Sequence, residues 1–231
     1  MHSYLRARDS RVDGMPAIQP RYEPGFPFAA FNMWRGAQAV VQRVLPRVWD
    51  FTVTREEPFP AGPVVVAANH FSHIDPVVAA VAAGRPTRFL GVDELFGRSR
   101  FFDGLTYFLG VVPMPRGTVP LRSMRTAVAQ LESGGGVTLF PEGRRVAEWG
   151  ESPPKEGAAW LALRVGAPLV PMALWGTGHA MGLEDLKLRR HPIRVAVGRS
   201  LRPADYANRA EMTAAWHEWM SAALTRLSAG E

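Results

Sequence analysis

The amino-acid sequence predicts an α/β fold in which one β-sheet is flanked by helices. Short apolar segments that are typical of buried strands recur from about residue 51 onward. Segments with helical periodicity lie between them, and no internal repeat, low-complexity tract or interdomain linker breaks the series. Because strands and helices alternate along the chain, we expect a single sheet with helices packed on it.

The predicted elements follow one another along most of the chain. The strands, in chain order, are FTVT, PVVVAAN, TRFLGV, GVVPM, GVTLF, LVPMALW and IRVAVG, and several of them are apolar throughout. Helical periodicity predicts helices over residues 77–83, 119–132 and 156–165. A last helix over residues 205–230 carries apolar residues at helical spacing, with Gly230 as its stop, and we expect it to cover the core.

Four segments organise the chain. Residues 1–26 carry charges throughout and have no apolar stretch of a signal peptide, which predicts a disordered leader. Residues 27–50 predict an amphipathic helix with Phe28, Phe31 and Trp34 on one broad side, which either packs on the core or lies in a membrane interface. Residues 51–205 form the α/β domain, and residues 206–231 form the helix packed on it. No run approaches the roughly 18 apolar residues that a membrane span requires.

Composition limits the available chemistry. The chain has 231 residues, 47% of them hydrophobic, which is enough for one sizeable core. Because it contains no cysteine, disulfides, thiolate metal sites and a cysteine nucleophile are excluded. The net charge of +6 comes mostly from arginines; it either reflects a biased composition or attracts phosphates. Nucleic acid is the weakest candidate partner, since aromatic and basic residues do not alternate and no zinc-finger spacing occurs.

The stretch NHFSHIDP, residues 69–76, follows a predicted strand. Asn69 and His70 stand at the carboxyl end of that strand, where open α/β sheets present ligand-binding crevices. His70 and Asp75 are separated by a short turn, and a carboxylate bound to one imidazole nitrogen makes the other nitrogen a general base. Asp75 before Pro76 also fits a helix N-cap. A metal site that adds His73 is disfavoured, because no further His or Glu cluster completes a ligand shell.

Three further strand ends carry residues that could meet a substrate. VTLFPEGRR places Glu142 and Gly143 after a strand, with Arg144 or Arg145 able to meet a phosphate, although a solvated surface turn explains the same residues. GVVPMPRGT brings out Arg116 at the end of another strand. LVPMAL is an apolar strand that suits a core or an acyl channel.

Together these segments resemble the glycerolipid acyltransferase family, whose best known members acylate lysophosphatidic acid to phosphatidic acid. The family's N-H-x-x-x-x-D motif stands here as NHFSHID and its F-P-E-G motif as FPEGRRV. The remaining two motifs correspond to the segment ending in Arg116 and to the VP pair at 170–171. Arg144 stands where the family usually has threonine, Val146 where it has serine, and Asp93 where a lysine is common, and these departures bear on the acceptor.

The resemblance implies a single mixed sheet, glycerol-3-phosphate acyltransferase-like, and O-acyl transfer. His70 would be the base and Asp75 its partner, while Arg116, Glu142, Gly143 and Arg144 would bind the acceptor. The acyl donor would be acyl-CoA or acyl-carrier protein, a substrate rather than a cofactor, with no metal. The acceptor would be 1-acylglycerol-3-phosphate in phospholipid biosynthesis. Three alternatives stay open: another lyso- or glycolipid acceptor, a hydrolase of acyl thioesters or lipid esters, and a noncatalytic lipid-binding protein. We expect a peripheral protein on the cytoplasmic side of an anionic cell membrane.

Overall fold

The computed structural model describes residues 43, 50–92, 106, 110–114, 121–183 and 187–230. The predicted leader lies outside these residues, and so does the predicted amphipathic helix of residues 27–50 apart from Arg43 and Asp50.

Seven strands of the described chain form one sheet in the order β1-β7-β6-β2-β5-β3-β4. The neighbouring strands pair in parallel except for β6 and β7, which are antiparallel. The predicted single mixed sheet flanked by helices is therefore confirmed. The strands are β1 Phe51–Arg55, β2 Val64–Ala68, β3 Thr87–Val92, β4 Val112–Met114, β5 Gly136–Leu139, β6 Leu169–Trp175 and β7 Ile193–Val197.

The helices of the described residues fall between the strands and after the last of them. They are α1 Asp75–Ala83, α2 Leu121–Glu132, α3 Gly157–Val165, the short α4 Thr177–Ala180 and α5 Arg209–Ala229. Among these helices, none is long and apolar enough to cross a membrane.

The last helix begins later than its periodicity predicted. Pro203–Asp205 form a separate 3-10 turn, and α5 starts at Arg209. The Asn208 side chain accepts a hydrogen bond from the Glu211 backbone N–H at 3.0 Å, which satisfies one of the free donors at the helix start. This cap sets the boundary, and the prediction of a helix from residue 205 was wrong by four residues.

The sheet is covered on both faces, which explains its uninterrupted apolar strands. In the central strand β2, Val65 and Ala67 belong to the core shared with α2, α3 and α5. Val64, Val66 and Ala68 point to the opposite face and pack in the core that contains α1. A strand buried on both faces needs no polar alternation, so VVVAA gives a five-residue strand without one exposed side chain.

The parallel strands bring the predicted site segments to one side of the sheet. Because β2, β3, β4, β5 and β6 run in the same direction, their carboxyl ends lie along one edge, which we call the carboxyl edge. The segments that begin at Asn69, Phe140 and Gly176 leave the sheet there. Antiparallel β7 starts at the same edge, since its Arg194 pairs with Trp175 at the end of β6.

Candidate active site

Asn69 lies at the point where the chain leaves β2. Its side-chain amide donates to the Leu174 carbonyl at 2.9 Å, and its Oδ1 accepts from the Leu174 N–H at 2.7 Å. The side chain is fully buried and takes the place of one more backbone pairing between β2 and β6. The backbone after Asn69 can therefore turn away from the sheet without leaving Leu174 unpaired.

His70 and Asp75 form a direct pair next to this exit. The His70 Nδ1 lies 2.8 Å from the Asp75 Oδ2. The Asp75 side chain is 0% exposed, whereas that of His70 is 13% exposed. A buried carboxylate thus holds Nδ1 in place, and Nε2 is the ring nitrogen left for a substrate.

Asp75 is held by the turn that precedes it. Its Oδ2 also accepts a hydrogen bond from the Ser72 N–H at 2.6 Å. The residue is the first of α1, Ile74 occupies the N-cap position, and no side chain caps the helix start. The predicted N-cap role of Asp75 was wrong, because its carboxylate turns back toward Ser72 and His70 rather than forward over the helix.

The His70 ring and backbone are fixed by the segment that follows β5. The ring stacks on Phe140 with centroids 4.1 Å apart and planes inclined by 15°. The His70 carbonyl accepts from the Val146 N–H at 2.9 Å, and the His70 N–H donates to the Glu142 Oε1 at 3.3 Å. Restraint of the ring and of both backbone groups leaves the imidazole little freedom to rotate.

The carboxyl of Glu142 is buried beside this pair. Burial raises the pKa of its carboxyl to about 7 from an ordinary value of 4.5, and the negative charge of Asp75 adds to the rise. Hydrogen bonds from the backbone N–H groups of Glu142 and His70 oppose it. Oε2 is buried and has no protein partner in the described part of the chain.

Gly143 completes the turn after Phe140 and lies against Lys155. Its φ of +67° falls in the left-handed region, and its N–H donates to the Phe140 carbonyl at 2.9 Å. A Cβ at this position would lie 2.5 Å from the Lys155 Nζ. The Lys155 backbone N–H donates to the Pro141 carbonyl at 2.8 Å, which fixes the lysine beside the turn. The sequence analysis assigned no role to Lys155. The signal that could have identified it is a lysine between Pro154 and Gly157 in a chain whose basic residues are mostly arginines.

Of the two arginines predicted to bind the acceptor, the structure describes Arg144. Arg144 is exposed and forms an ion pair with Glu151, Nη2 to Oε1, at 3.0 Å. The Glu151 carboxylate also accepts from the Ala147 N–H at 2.8 Å, so the ion pair is bound to the backbone of its own loop. Arg116 lies outside the described residues.

The loop after β5 is anchored on the C-terminal helix. The Trp149 Nε1 donates to the Ser221 Oγ at 2.9 Å, and its ring packs edge-on against Trp216 with centroids 5.8 Å apart. Trp216 itself donates to the Ala67 carbonyl in β2 at 3.0 Å. The helix α5 therefore connects the central strand to the loop that positions Glu142 and Gly143.

Two other side chains of the first motif are engaged outside the pair. The Ser72 Oγ donates to the Met181 carbonyl at 2.7 Å, and the His73 Nε2 lies 3.3 Å from the Leu183 carbonyl oxygen. Within the described segments, no group of three or more His, Asp or Glu side chains is arranged to hold a metal ion. These contacts attach the turn to the segment after α4.

The geometry has the parts of a proton-transfer site with an anion-binding side. An oriented imidazole stands at the carboxyl edge, a buried carboxyl lies behind its backbone, and an ammonium group lies over the neighbouring glycine.

Comparison with known proteins gives a consistent result. The family model described as Acyltransferase matches residues 50–175 of the chain. A chloroplastic 1-acyl-sn-glycerol-3-phosphate acyltransferase of Brassica napus is 28% identical over 156 residues, which are 65% of this chain and 43% of that protein. A protein of the same name from Chlamydomonas reinhardtii is 30% identical over 152 residues, 63% of this chain and 44% of that protein. The chain thus spans less than half the length of these relatives.

A solved structure shares the fold. The 1-acyl-sn-glycerophosphate (LPA) acyltransferase PlsC from Thermotoga maritima superposes with a TM-score of 0.73 at 21% identity. The match covers 87% of this chain and 82% of that one.

Proposed function

The chain belongs to the acyltransferase family, and from that premise we propose that it acylates the free hydroxyl of 1-acylglycerol-3-phosphate to give phosphatidic acid. The observation that carries the proposal is the His70 Nδ1–Asp75 Oδ2 contact of 2.8 Å at the carboxyl edge. The names of the relatives from Brassica napus and Chlamydomonas reinhardtii support this acceptor.

The reaction is a direct transfer. The His70 Nε2 takes the proton of the acceptor hydroxyl while the hydroxyl oxygen attacks the thioester carbonyl carbon of the donor. A C–O bond forms, the C–S bond breaks, and the proton passes from His70 to the departing thiolate. The positive charge that develops on the imidazole is stabilised by the buried Asp75 carboxylate.

Ser72 takes no part as a nucleophile in this scheme. Its hydroxyl donates a hydrogen bond to the Met181 carbonyl, so the hydroxyl proton is not directed at the ring of His70. Transfer without an acyl-enzyme needs only the base, its carboxylate partner and two bound substrates.

The acceptor is recognised through its phosphate and glycerol oxygens. The Lys155 ammonium group binds the phosphate beside Gly143. A larger residue at position 143 would collide with this ammonium group. Glu142, whose Oε1 accepts from the His70 N–H, and the Gly143 backbone shape this side of the site and bind a glycerol hydroxyl. Arg116 adds a second cation in the family pattern, while Arg144 acts on the acceptor only if it leaves Glu151.

The acyl donor is acyl-CoA or acyl-carrier protein, and it is a substrate rather than a resident cofactor. No metal takes part in the proposed transfer. Because the acceptor and product live in a bilayer, the protein works as a peripheral protein on an anionic membrane, at its cytoplasmic side, where basic side chains are attracted to the headgroups.

A product analysis tests the proposal. Purified protein is incubated with labelled acyl-CoA, or with acyl-carrier protein, in vesicles that contain lysophosphatidic acid, another lysophospholipid or a glycolipid, and the products are resolved by mass. We expect phosphatidic acid that depends on the lysophosphatidic acid. Transfer only to another acceptor would contradict the proposed substrate, free fatty acid without acceptor dependence would indicate a hydrolase, and no product with intact lipid binding would contradict catalysis.

A further inference from the structure

Two large hydrophobic side chains of the described residues are strongly exposed. Leu121 is 64% exposed and Leu188 is 57% exposed. A single exposed leucine needs no explanation. These two, however, lie at the same edge of the sheet, and each has basic neighbours.

Leu121 is the first residue of α2. This helix connects β4, which ends at Met114 on the carboxyl edge, to β5, which begins at Gly136 on the opposite edge. The start of α2 therefore lies on the side of the carboxyl edge. Arg122 and Arg125, in the first turns of the helix, are exposed there too.

Leu188 approaches the same edge from another part of the chain. It lies between α4, which follows the end of β6, and the start of antiparallel β7. The Arg189 N–H donates to the carbonyl of Ala180 at 2.8 Å. The residue after Ala180 is Met181, whose carbonyl accepts from the Ser72 Oγ. The segment that carries Leu188 is thus attached to the turn that holds His70 and Asp75.

The described neighbours of both leucines along the chain are basic. Lys187, Arg189 and Arg190 flank Leu188 and are exposed, as are the two arginines after Leu121. Glu184 and Asp185 precede Lys187 in the sequence and reduce the net charge of that segment. Insertion of apolar side chains must therefore contribute to membrane attachment in addition to the attraction between charges.

We propose that Leu121 and Leu188, with their basic neighbours, form a docking surface for an anionic lipid bilayer. Exposed apolar side chains surrounded by cations suit a headgroup layer with acyl chains beneath it. The surface would hold the carboxyl edge, and with it His70, toward the membrane that contains the acceptor. The inference deepens the proposed function, but vesicle binding can be measured without turnover, so the two can fail separately.

The absence of cysteine from the chain gives a direct test. The variants Leu121→Cys, Leu188→Cys and Arg164→Cys each receive one environment-sensitive fluorophore on the full-length protein. Arg164 is exposed near the end of α3, on the side of the opposite edge, and is the matched control. On addition of phosphatidylcholine–phosphatidylglycerol vesicles, we expect a blue shift and a rise in emission at positions 121 and 188 but not at 164.

Three results would overturn the docking surface. The first is vesicle binding by flotation with no spectral change at positions 121 and 188, which would assign attachment to another segment. The second is an equal change at all three positions. The third is a change that needs no vesicles and grows with protein concentration, which would indicate contact between copies of the chain.

The contributions of apolar and basic side chains can be separated in flotation. Leu188→Gln should weaken vesicle binding roughly tenfold, because it removes an inserted apolar side chain, whereas Leu188→Phe should retain it. Arg190→Gln should weaken binding about fivefold to anionic vesicles only. Arg164→Gln should leave binding unchanged, and a loss equal to that of Arg190→Gln would contradict a localised surface.

Discussion

Replacing Asp75 by Asn tests the part of the site on which base catalysis depends. The Asp75 Oδ2 accepts from both the Ser72 N–H and the His70 Nδ1. An amide oxygen in the same place can keep both hydrogen bonds, so the ring should retain its orientation. What the variant loses is the negative charge opposite the imidazolium that forms when His70 takes the proton.

The size of the loss follows from the 2.8 Å contact. The imidazolium charge is spread over the ring, so the effective separation is about 4 Å, at which a charge pair in a site of intermediate dielectric gains about 4 kcal/mol. Each 1.36 kcal/mol is about tenfold in rate. We therefore expect kcat to fall about 1000-fold in Asp75→Asn.

The stability of this variant should change much less than its activity. The new NH2 group takes the position of Oδ1, which is buried without a protein partner, at a cost of about 1–3 kcal/mol. Removal of a buried charge offsets part of this cost. Thermal unfolding should show a folded protein. Transfer in vesicles, with donor and acceptor both saturating, gives kcat.

Ser72→Ala is the matched control, because it keeps the backbone N–H that binds Asp75 and removes only the hydroxyl. Its kcat should stay within about tenfold of the wild-type value. A near-normal kcat in Asp75→Asn would refute the charge argument. A loss in Ser72→Ala as large as that in Asp75→Asn would favour an acyl-enzyme on Ser72.

Three further predictions concern the surroundings of the pair. Since the pKa of Glu142 is raised from 4.5 to about 7, the free energy of unfolding should fall as pH rises across this interval, by at most about 3 kcal/mol. Glu142→Gln should remove that part of the slope in urea titrations, and an unchanged slope would contradict the shift. Lys155→Gln should raise the acceptor KM roughly tenfold with little change in kcat, whereas Arg144→Gln, already paired with Glu151, should not; the reverse result would move the phosphate to Arg144. Asn69→Leu should destabilise the fold by about 2–5 kcal/mol in urea unfolding, because both backbone groups of Leu174 lose their partner; a cost below about 1 kcal/mol would mean that they are satisfied otherwise.

The strands were predictable because burial on both faces gives continuous apolar runs. VVVAA and LVPMALW needed no knowledge of their neighbours, and the observed strands cover them. The position of His70 at the carboxyl edge could also be predicted, because a strand, a polar turn and a helix follow one another in the sequence there. The start of α5 at Arg209 was missed. Helical periodicity alone gave a start four residues earlier and did not identify Asn208 as the N-cap.

Contacts between distant segments could not be predicted. The amide of Asn69 meets a partner 105 residues away, and Lys155 reaches Gly143 only through the path of the loop between them. The ion pair between Arg144 and Glu151 likewise depends on the path of that loop. The sequence therefore did not show that Arg144 has a carboxylate partner. The raised pKa of Glu142 requires burial, which no local pattern reports.

Loss of transfer in His70→Ala is the most direct test of base catalysis by this chain. Wild-type and variant protein, matched by thermal unfolding, are compared for phosphatidic acid formation from labelled acyl-CoA and lysophosphatidic acid in vesicles. We expect the variant to keep its fold and its vesicle binding and to lose about 1000-fold or more in rate, since Asp75 then has no imidazole to orient and the base is gone. A folded variant that transfers acyl groups at a rate close to that of the wild type would contradict the assignment of His70 as the base.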